Sequence, residues 1–91
     1  MKCWYVYILK CADSTFYTGI TTDPKRRLRE HNYTAKASRY TRSRRPSELV
    51  FVTGSATRSS ASKLEVEIKK MNRENKKSLI ESSCNLCQGL I

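Results

Sequence analysis

The stretch from Trp4 to His31 constrains the fold more than any other part of the chain. Trp4, Val6 and Ile8 alternate with Tyr5, Tyr7 and Leu9, which is strand periodicity written in residues that favour strands. Ala12-Asp13-Ser14 reads as a loop, and Thr15 to Ile20 resumes the strand-like composition. With three residues in that loop, Tyr17 falls opposite Leu9, on the same face as Tyr7 and diagonal to it. A slip of one residue would separate the two hydroxyls onto opposite faces. Asp23-Pro24 then starts a helix, since Asp caps free N–H groups and Pro suits the first helical position. Arg27 and His31 lie four residues apart and so share one helical face. Two phenols, a guanidinium and an imidazole are thereby expected on neighbouring elements.

The remaining elements follow from period and punctuation. Asn32 to Arg45 is polar, basic and aperiodic, and reads as a long surface loop. Glu48 to Thr53 reads as a third, more buried strand, followed by a turn at Gly54-Ser55. From about Ser59 the period becomes helical, with Ala61, Leu64, Ile68 and Met71 forming an apolar stripe. Glu65 and Glu67 flank the stripe at about 80° on either side, so geometry alone does not choose between them. Ser62 to Glu65 also fits a capping box, which would tie up the Glu65 carboxylate; against it, the stripe begins at Ala61, before such a cap. A short helix over about 76–81 follows. The expected architecture is α/β, a small three-stranded antiparallel sheet flanked by helices in the order β-β-α-β-α-α. One domain is expected over residues 1–83, with a tail over 84–91.

Charge points to the partner. The 91-residue chain carries a formal net charge of +10, and nine Lys or Arg residues stand against one acid between Lys25 and Arg45. A polyanion is the natural ligand, with Lys25, Arg26, Arg39, Arg42, Arg44 and Arg45 as phosphate contacts, and Tyr40 and Tyr33 able to stack on bases. The competing reading is a solvated basic face that keeps the protein soluble. No apolar run reaches membrane-spanning length and no secretory signal opens the chain, so a cytoplasmic location is expected, without a membrane or a small-molecule cofactor. Cys3, Cys11 and the lone pair Cys84 and Cys87 do not make a zinc site at ligand spacing, and reduced thiols are expected.

The ordered set Tyr5-Val6-Tyr7, Tyr17-Thr18-Gly19, Arg27 and His31 resembles the GIY-YIG nuclease superfamily. Arg39-Tyr40-Thr41-Arg42, Arg45-Pro46, Glu48-Leu49-Val50, Ala61, Glu65 and Ile68-Lys69-Lys70 extend the likeness to its small single-domain bacterial branch, over roughly residues 3–81. Tyr5 stands where the first glycine of the pattern belongs, and Thr34 to Ala37 replaces a glycine-rich segment. The resemblance implies a divalent-metal-dependent endonuclease acting on DNA, with RNA as a second candidate, in DNA repair or processing. The site would comprise Tyr7, Tyr17, Arg27, His31 and Glu65, with one Mg²⁺ or Mn²⁺ on Glu65.

The chemistry of these residue types agrees with that implication. Arg27 can grip two phosphate oxygens and stays charged at any working pH. One of the tyrosines would act as general base, and the choice between Tyr7 and Tyr17 is open. A phenol of pKa about 10 is only about one part in a thousand ionised at pH 7, so Arg27 and a metal would have to lower it. His31 titrates near neutrality and could orient a tyrosine or water, or carry a proton. Glu65 is the metal ligand by resemblance, with Glu67 as the fallback. A nucleic-acid-binding module without catalysis, or a structural domain of a larger complex, is the alternative. The carboxylate on the long second helix discriminates, since a pure binder has no use for one facing phosphate.

Overall fold

A computed structural model of the chain describes residues 3–82. Three strands, β1 (Trp4–Lys10), β2 (Phe16–Thr21) and β3 (Glu48–Ser55), form an antiparallel sheet in the order β2-β1-β3. Helices α1 (Pro24–Tyr33) and α2 (Arg39–Arg42) lie between β2 and β3, and α3 (Arg58–Lys70) and α4 (Arg73–Ile80) follow β3. The expected α/β architecture is therefore present, with α2 added. Residues 84–91, including Cys84 and Cys87, lie outside the described residues.

β1 is central, and residues Val6 to Leu9 are all buried, because both faces of the sheet are covered. Val6 and Ile8 meet Phe51, Ala61 and Ile68, with Leu64, Met71, Leu79 and Ile80 closing that layer from α3 and α4. Tyr7 and Leu9 point the other way, packing with Leu49 and Val52 and with Tyr17 and Leu28 at the layer's edge. A register shift between Ile8 and Leu9 pairs Ile8 with Phe51 but Leu9 with Leu49. Val50 is the extra residue of this bulge, so Leu49 and Val52, three apart, share a face that strict alternation would deny them.

The β1–β2 connection places the tyrosines. Cys11 N donates to Thr15 O at 2.8 Å and Ser14 N to Cys11 O at 2.9 Å, leaving Ala12-Asp13-Ser14 as the loop. Ser14 takes the left-handed conformation, φ 68°, and Asp13 Oδ1 accepts from Thr15 Oγ1 at 2.6 Å. The resulting register sets Leu9 opposite Tyr17 and Tyr7 opposite Gly19, as the three-residue loop requires.

Helix starts are set by side-chain caps. Asp23 Oδ1 accepts from Arg26 N at 3.1 Å, with Pro24 at the first helical position. A capping box formed by Thr57 and Ser60 starts α3 at Arg58, which leaves Glu65 in the helix interior rather than spent on a cap at Ser62. Asn72 Oδ1 accepts from Asn75 N at 2.8 Å, so α4 begins earlier than the apolar pattern indicates.

Residues 34–45 differ most from the expected surface loop. Arg45 Nε donates to His31 O at 2.6 Å, and its guanidinium also reaches Thr34 O, so it caps the free carbonyls at the end of α1. Arg42 Nη2 donates to Ala35 O at 2.5 Å. Asn32 holds both backbone groups of Ser47, donating to its carbonyl at 3.0 Å and accepting from its N–H at 2.7 Å. The basic segment is thus folded back onto α1 and pinned to the start of β3.

Candidate active site

The site is built on the sheet face beneath α1. Tyr7 stands near the middle of the central strand, 2% exposed, with its ring against the backbone of Gly19. A Cβ at position 19 would lie 2.5 Å from Tyr7 Oη and 2.7 Å from Cζ, so only glycine leaves room for the phenol. Tyr7 Oη lies 2.9 Å from His31 Nε2. His31 reaches it from α1, fully buried, and its Nδ1 sits 2.6 Å from Thr41 Oγ1. α2 supplies that threonine: Ser38 caps its first turn, accepting from Thr41 N at 3.2 Å.

A stack of side chains continues from this pair to the surface. Tyr17 presents its ring to His31 edge-on, with centroids 5.3 Å apart, and lies 6.4 Å from the Tyr7 ring. Tyr40 stacks on Tyr17 at 6.0 Å and 25°, and Arg44 lies over Tyr40 at 3.9 Å. Arg44 is held in turn by Asp13 Oδ2 at 2.9 Å and the Tyr40 carbonyl at 2.8 Å. The tip of the hairpin therefore anchors the outer end of the stack.

Arg27 flanks the phenol. Its Nη1 donates to Glu30 Oε1 at 3.0 Å and to Lys36 O at 2.8 Å. Burial works against its charge, but Glu30 and the Tyr7 phenol outweigh that and hold its pKa above the usual value. Glu30 is correspondingly a stronger acid than usual beside Arg27. Glu65, on α3, has a side chain 21% exposed, 3.8 Å from Lys69 Nζ, and its charge acts on Tyr7. Glu67 is exposed.

Electrostatics correct two expectations. Burial, then the neighbouring Tyr17, push the Tyr7 pKa well above the ordinary phenol value; Arg27 opposes them and Glu65 adds to them. Tyr7 is therefore a neutral phenol in the resting protein, not an ionised base prepared by Arg27. Burial, with Arg27 and Arg45 adding and Glu30 opposing, pushes His31 down to about 4. The imidazole is neutral at physiological pH, so it does not titrate near 7 as an exposed histidine would.

Among the described residues no three His, Cys, Asp or Glu side chains gather as a metal site. The donor offered is the single carboxylate of Glu65. That fits Mg²⁺ or Mn²⁺, which keep several waters and take further oxygens from phosphate, and does not fit a closed zinc site. Cys3 and Cys11 are free thiols, Cys3 exposed and Cys11 buried.

The sequence model of the GIY-YIG catalytic domain matches residues 3–78. The chain belongs to the GIY-YIG family. That family is one of nucleases. The chain is 52% identical to a UPF0213 protein of Desulfotalea psychrophila over 88% of this chain and 73% of the relative. It is 46% identical to one of Haloquadratum walsbyi over 92% and 93% of the two chains. The solution NMR structure of a UPF0213 protein from Bacillus halodurans superposes with a TM-score of 0.57 at 38% identity, covering 90% of this chain and 86% of that one. A protein from E. faecalis gives 0.59 at 38% identity, over 89% and 85%.

Within this GIY-YIG domain the structure brings Tyr7, Tyr17, Arg27 and His31 together, while Glu65 lies on α3, which packs on the Val6 and Ile8 face, and its charge raises the Tyr7 pKa further. Tyr5, in place of the first glycine, is half-buried opposite Gly54 and packs against the same cluster as Tyr7. Arg42, Arg44 and Arg45, expected on phosphate, also donate to the protein's own carbonyls and, from Arg44, to Asp13. Lys25, Arg26 and Arg39 are exposed, with Arg26 Nε 3.9 Å from Glu30. Sequence reasoning missed Gly19 and Thr41. Gly19 was signalled by its place opposite Tyr7, whereas nothing in the basic run set Thr41 apart.

Proposed function

We propose that this GIY-YIG domain is a divalent-metal-dependent endonuclease that hydrolyses phosphodiester bonds in DNA, with RNA as a second substrate, in the cytoplasm. The observation that carries the reading is the contact of Tyr7 Oη with a buried, neutral His31, with Arg27 and one carboxylate alongside. In this reading a water gives a proton to Tyr7 Oη while the Tyr7 O–H proton moves to His31 Nε2. The phenol is never free as phenolate, which its high pKa would make costly. The resulting hydroxide attacks phosphorus, the P–O bond to the leaving oxygen breaks, and that oxygen takes a proton from bulk water while His31 returns its proton through Tyr7, as its low proton affinity requires. Arg27 offers its guanidinium to the phosphate oxygens as charge builds on them. Glu65 would hold a Mg²⁺ or Mn²⁺, which when bound supplies charge neutralisation and polarises bound water. Lys25, Arg26 and Arg39 would hold flanking phosphates.

The test is cleavage of supercoiled plasmid with and without chelator, beside a binding titration, for wild type and Glu65→Gln. The amide keeps the size of the carboxylate and removes the charge a Mg²⁺ ligand needs. Glu65→Gln should bind nucleic acid at least as well as wild type and lose chelator-sensitive cutting. If wild type cuts no nucleic acid in a chelator-sensitive way, a binding module becomes the better reading.

A further inference from the structure

We propose that Thr41 is a positioning residue that holds the proton of neutral His31 on Nδ1, leaving Nε2 bare to accept the Tyr7 O–H. A neutral imidazole has one donor and one acceptor nitrogen, and both nitrogens of His31 are in hydrogen bonds, to Tyr7 and to Thr41. Counting protons along this chain decides between the two tautomers.

With the proton on Nδ1, His31 donates to Thr41 Oγ1. The Thr41 hydroxyl then gives its own proton to Ser38, whose Oγ lies at 3.0 Å and carbonyl at 3.3 Å. Tyr7 O–H donates to Nε2, and the phenol oxygen keeps its lone pairs for Arg27 and an incoming water. Every donor has an acceptor.

With the proton on Nε2, Thr41 must spend its only hydrogen on Nδ1. His31 then donates to Tyr7 Oη, and the Tyr7 hydrogen must find another acceptor. Arg27 cannot be that acceptor, because a guanidinium only donates. Among the described hydrogen bonds no acceptor remains for the Tyr7 hydrogen, which would have to turn toward the cleft.

The consequence for chemistry rests on the nuclease reading; the tautomer does not. Only the Nδ1–H form lets Tyr7 take a proton from water while passing its own to His31. The Nε2–H form would make Tyr7 a donor toward the cleft. Thr41 itself touches neither substrate nor phenol and acts through the imidazole. Its own place is fixed by the Ser38 cap of α2 and by the neighbouring Arg42 and Arg45, which tie this segment to the end of α1.

His31 is the only histidine in the chain, so its ring nitrogens can be read without ambiguity in long-range ¹H–¹⁵N correlation spectra of uniformly ¹⁵N-labelled protein at pH 7. Nδ1 should resonate as a protonated nitrogen and Nε2 as a bare one, in wild type and in Thr41→Ser. Thr41→Val should move the ring to the Nε2–H form or a mixture. Single-turnover cleavage should fall about 100-fold in Thr41→Val, within the usual range for general base catalysis, and return to within about tenfold of wild type in Thr41→Ser. A wild-type ring protonated on Nε2 would overturn the proposal, and that result needs no variant to fold. So would a Thr41→Val ring that keeps the Nδ1–H form, or cleavage by that variant at the wild-type rate. If wild type cuts nothing, the nuclease reading falls with the catalytic half of this proposal, while the spectra still decide the tautomer.

Discussion

The two faces of one short sheet have divided labour. Toward α3 and α4, β1 presents Val6 and Ile8 to Phe51, Ala61 and Ile68, an apolar layer in which the buried Thr18, opposite Ile8, is a polar exception. Toward α1 and α2, the alternate residues Tyr7 and Leu9 meet Leu49 and Val52, but Tyr7 also meets His31, Tyr17 and Arg27. The first face is held by area removed from water, which is indifferent to pH and direction. The second gives up part of that area to a hydrogen-bonded chain that must be satisfied link by link.

Cutting into the apolar face should therefore destabilise while leaving the Tyr7–His31 pair untouched. Phe51→Ala should cost about 3–5 kcal/mol, read as a lower urea midpoint, with the cleavage rate per folded molecule unchanged. Phe51→Leu should show a smaller loss in the same direction. A change in the pH dependence of cleavage in either variant would break the separation of the faces, whereas a change in metal dependence would report that α3, packed on Phe51 through Ala61 and Ile68, also carries Glu65.

The polar face should show itself in pH. His31 binds its proton at about 4 when folded and at about 6.5 when unfolded. Between those values the unfolded chain holds more protons, so stability falls as pH drops, by up to about 3 kcal/mol at pH 4, and is flat above about pH 7. Urea midpoints from pH 7.5 to 4.5 should show this slope, and His31→Gln should flatten it. An unchanged slope in that variant would mean that the imidazole is not held neutral by its burial.

The smallest effect is expected at the outer end of the stack. Arg44→Ala removes a cation from the Tyr40 ring, a contact worth about 0.5–1 kcal/mol at an exposed position, and should slow cleavage by no more than about fivefold. A larger loss of nucleic-acid affinity than of rate would return Arg44 to the phosphate-binding role that its charge suggested.

Much of the polar face was legible because short-range rules determine it. Alternation in β1, a three-residue loop and the Asp23-Pro24 start bring Tyr7, Tyr17, Arg27 and His31 onto one side with no long-range information. The choice of Glu65 over Glu67 came from resemblance, and the cap at Thr57 explains why the Glu65 carboxylate is not spent on a helix start. The basic run hides a structural role for a physical reason: an arginine that grips phosphate and one that grips its own carbonyls look alike in sequence. Arg42, Arg44 and Arg45 do the second, and the order they impose on residues 34–45 puts Thr41 beside His31. The protonation states were illegible for the same reason, since they depend on burial that only the folded segment provides.

The central claim is that Tyr7, through its hydrogen bond to His31, takes the proton from the attacking water, while Tyr17 holds the stack in place. It is tested most directly by single-turnover plasmid cleavage at saturating protein and Mg²⁺ for Tyr7→Phe and Tyr17→Phe, each variant first shown to fold and to bind. Tyr7→Phe should lose about 1,000-fold in rate with affinity retained, and Tyr17→Phe, whose ring still packs between His31 and Tyr40, no more than about tenfold. The reverse ranking, or a Tyr7→Phe enzyme that cuts at the wild-type rate, would contradict it.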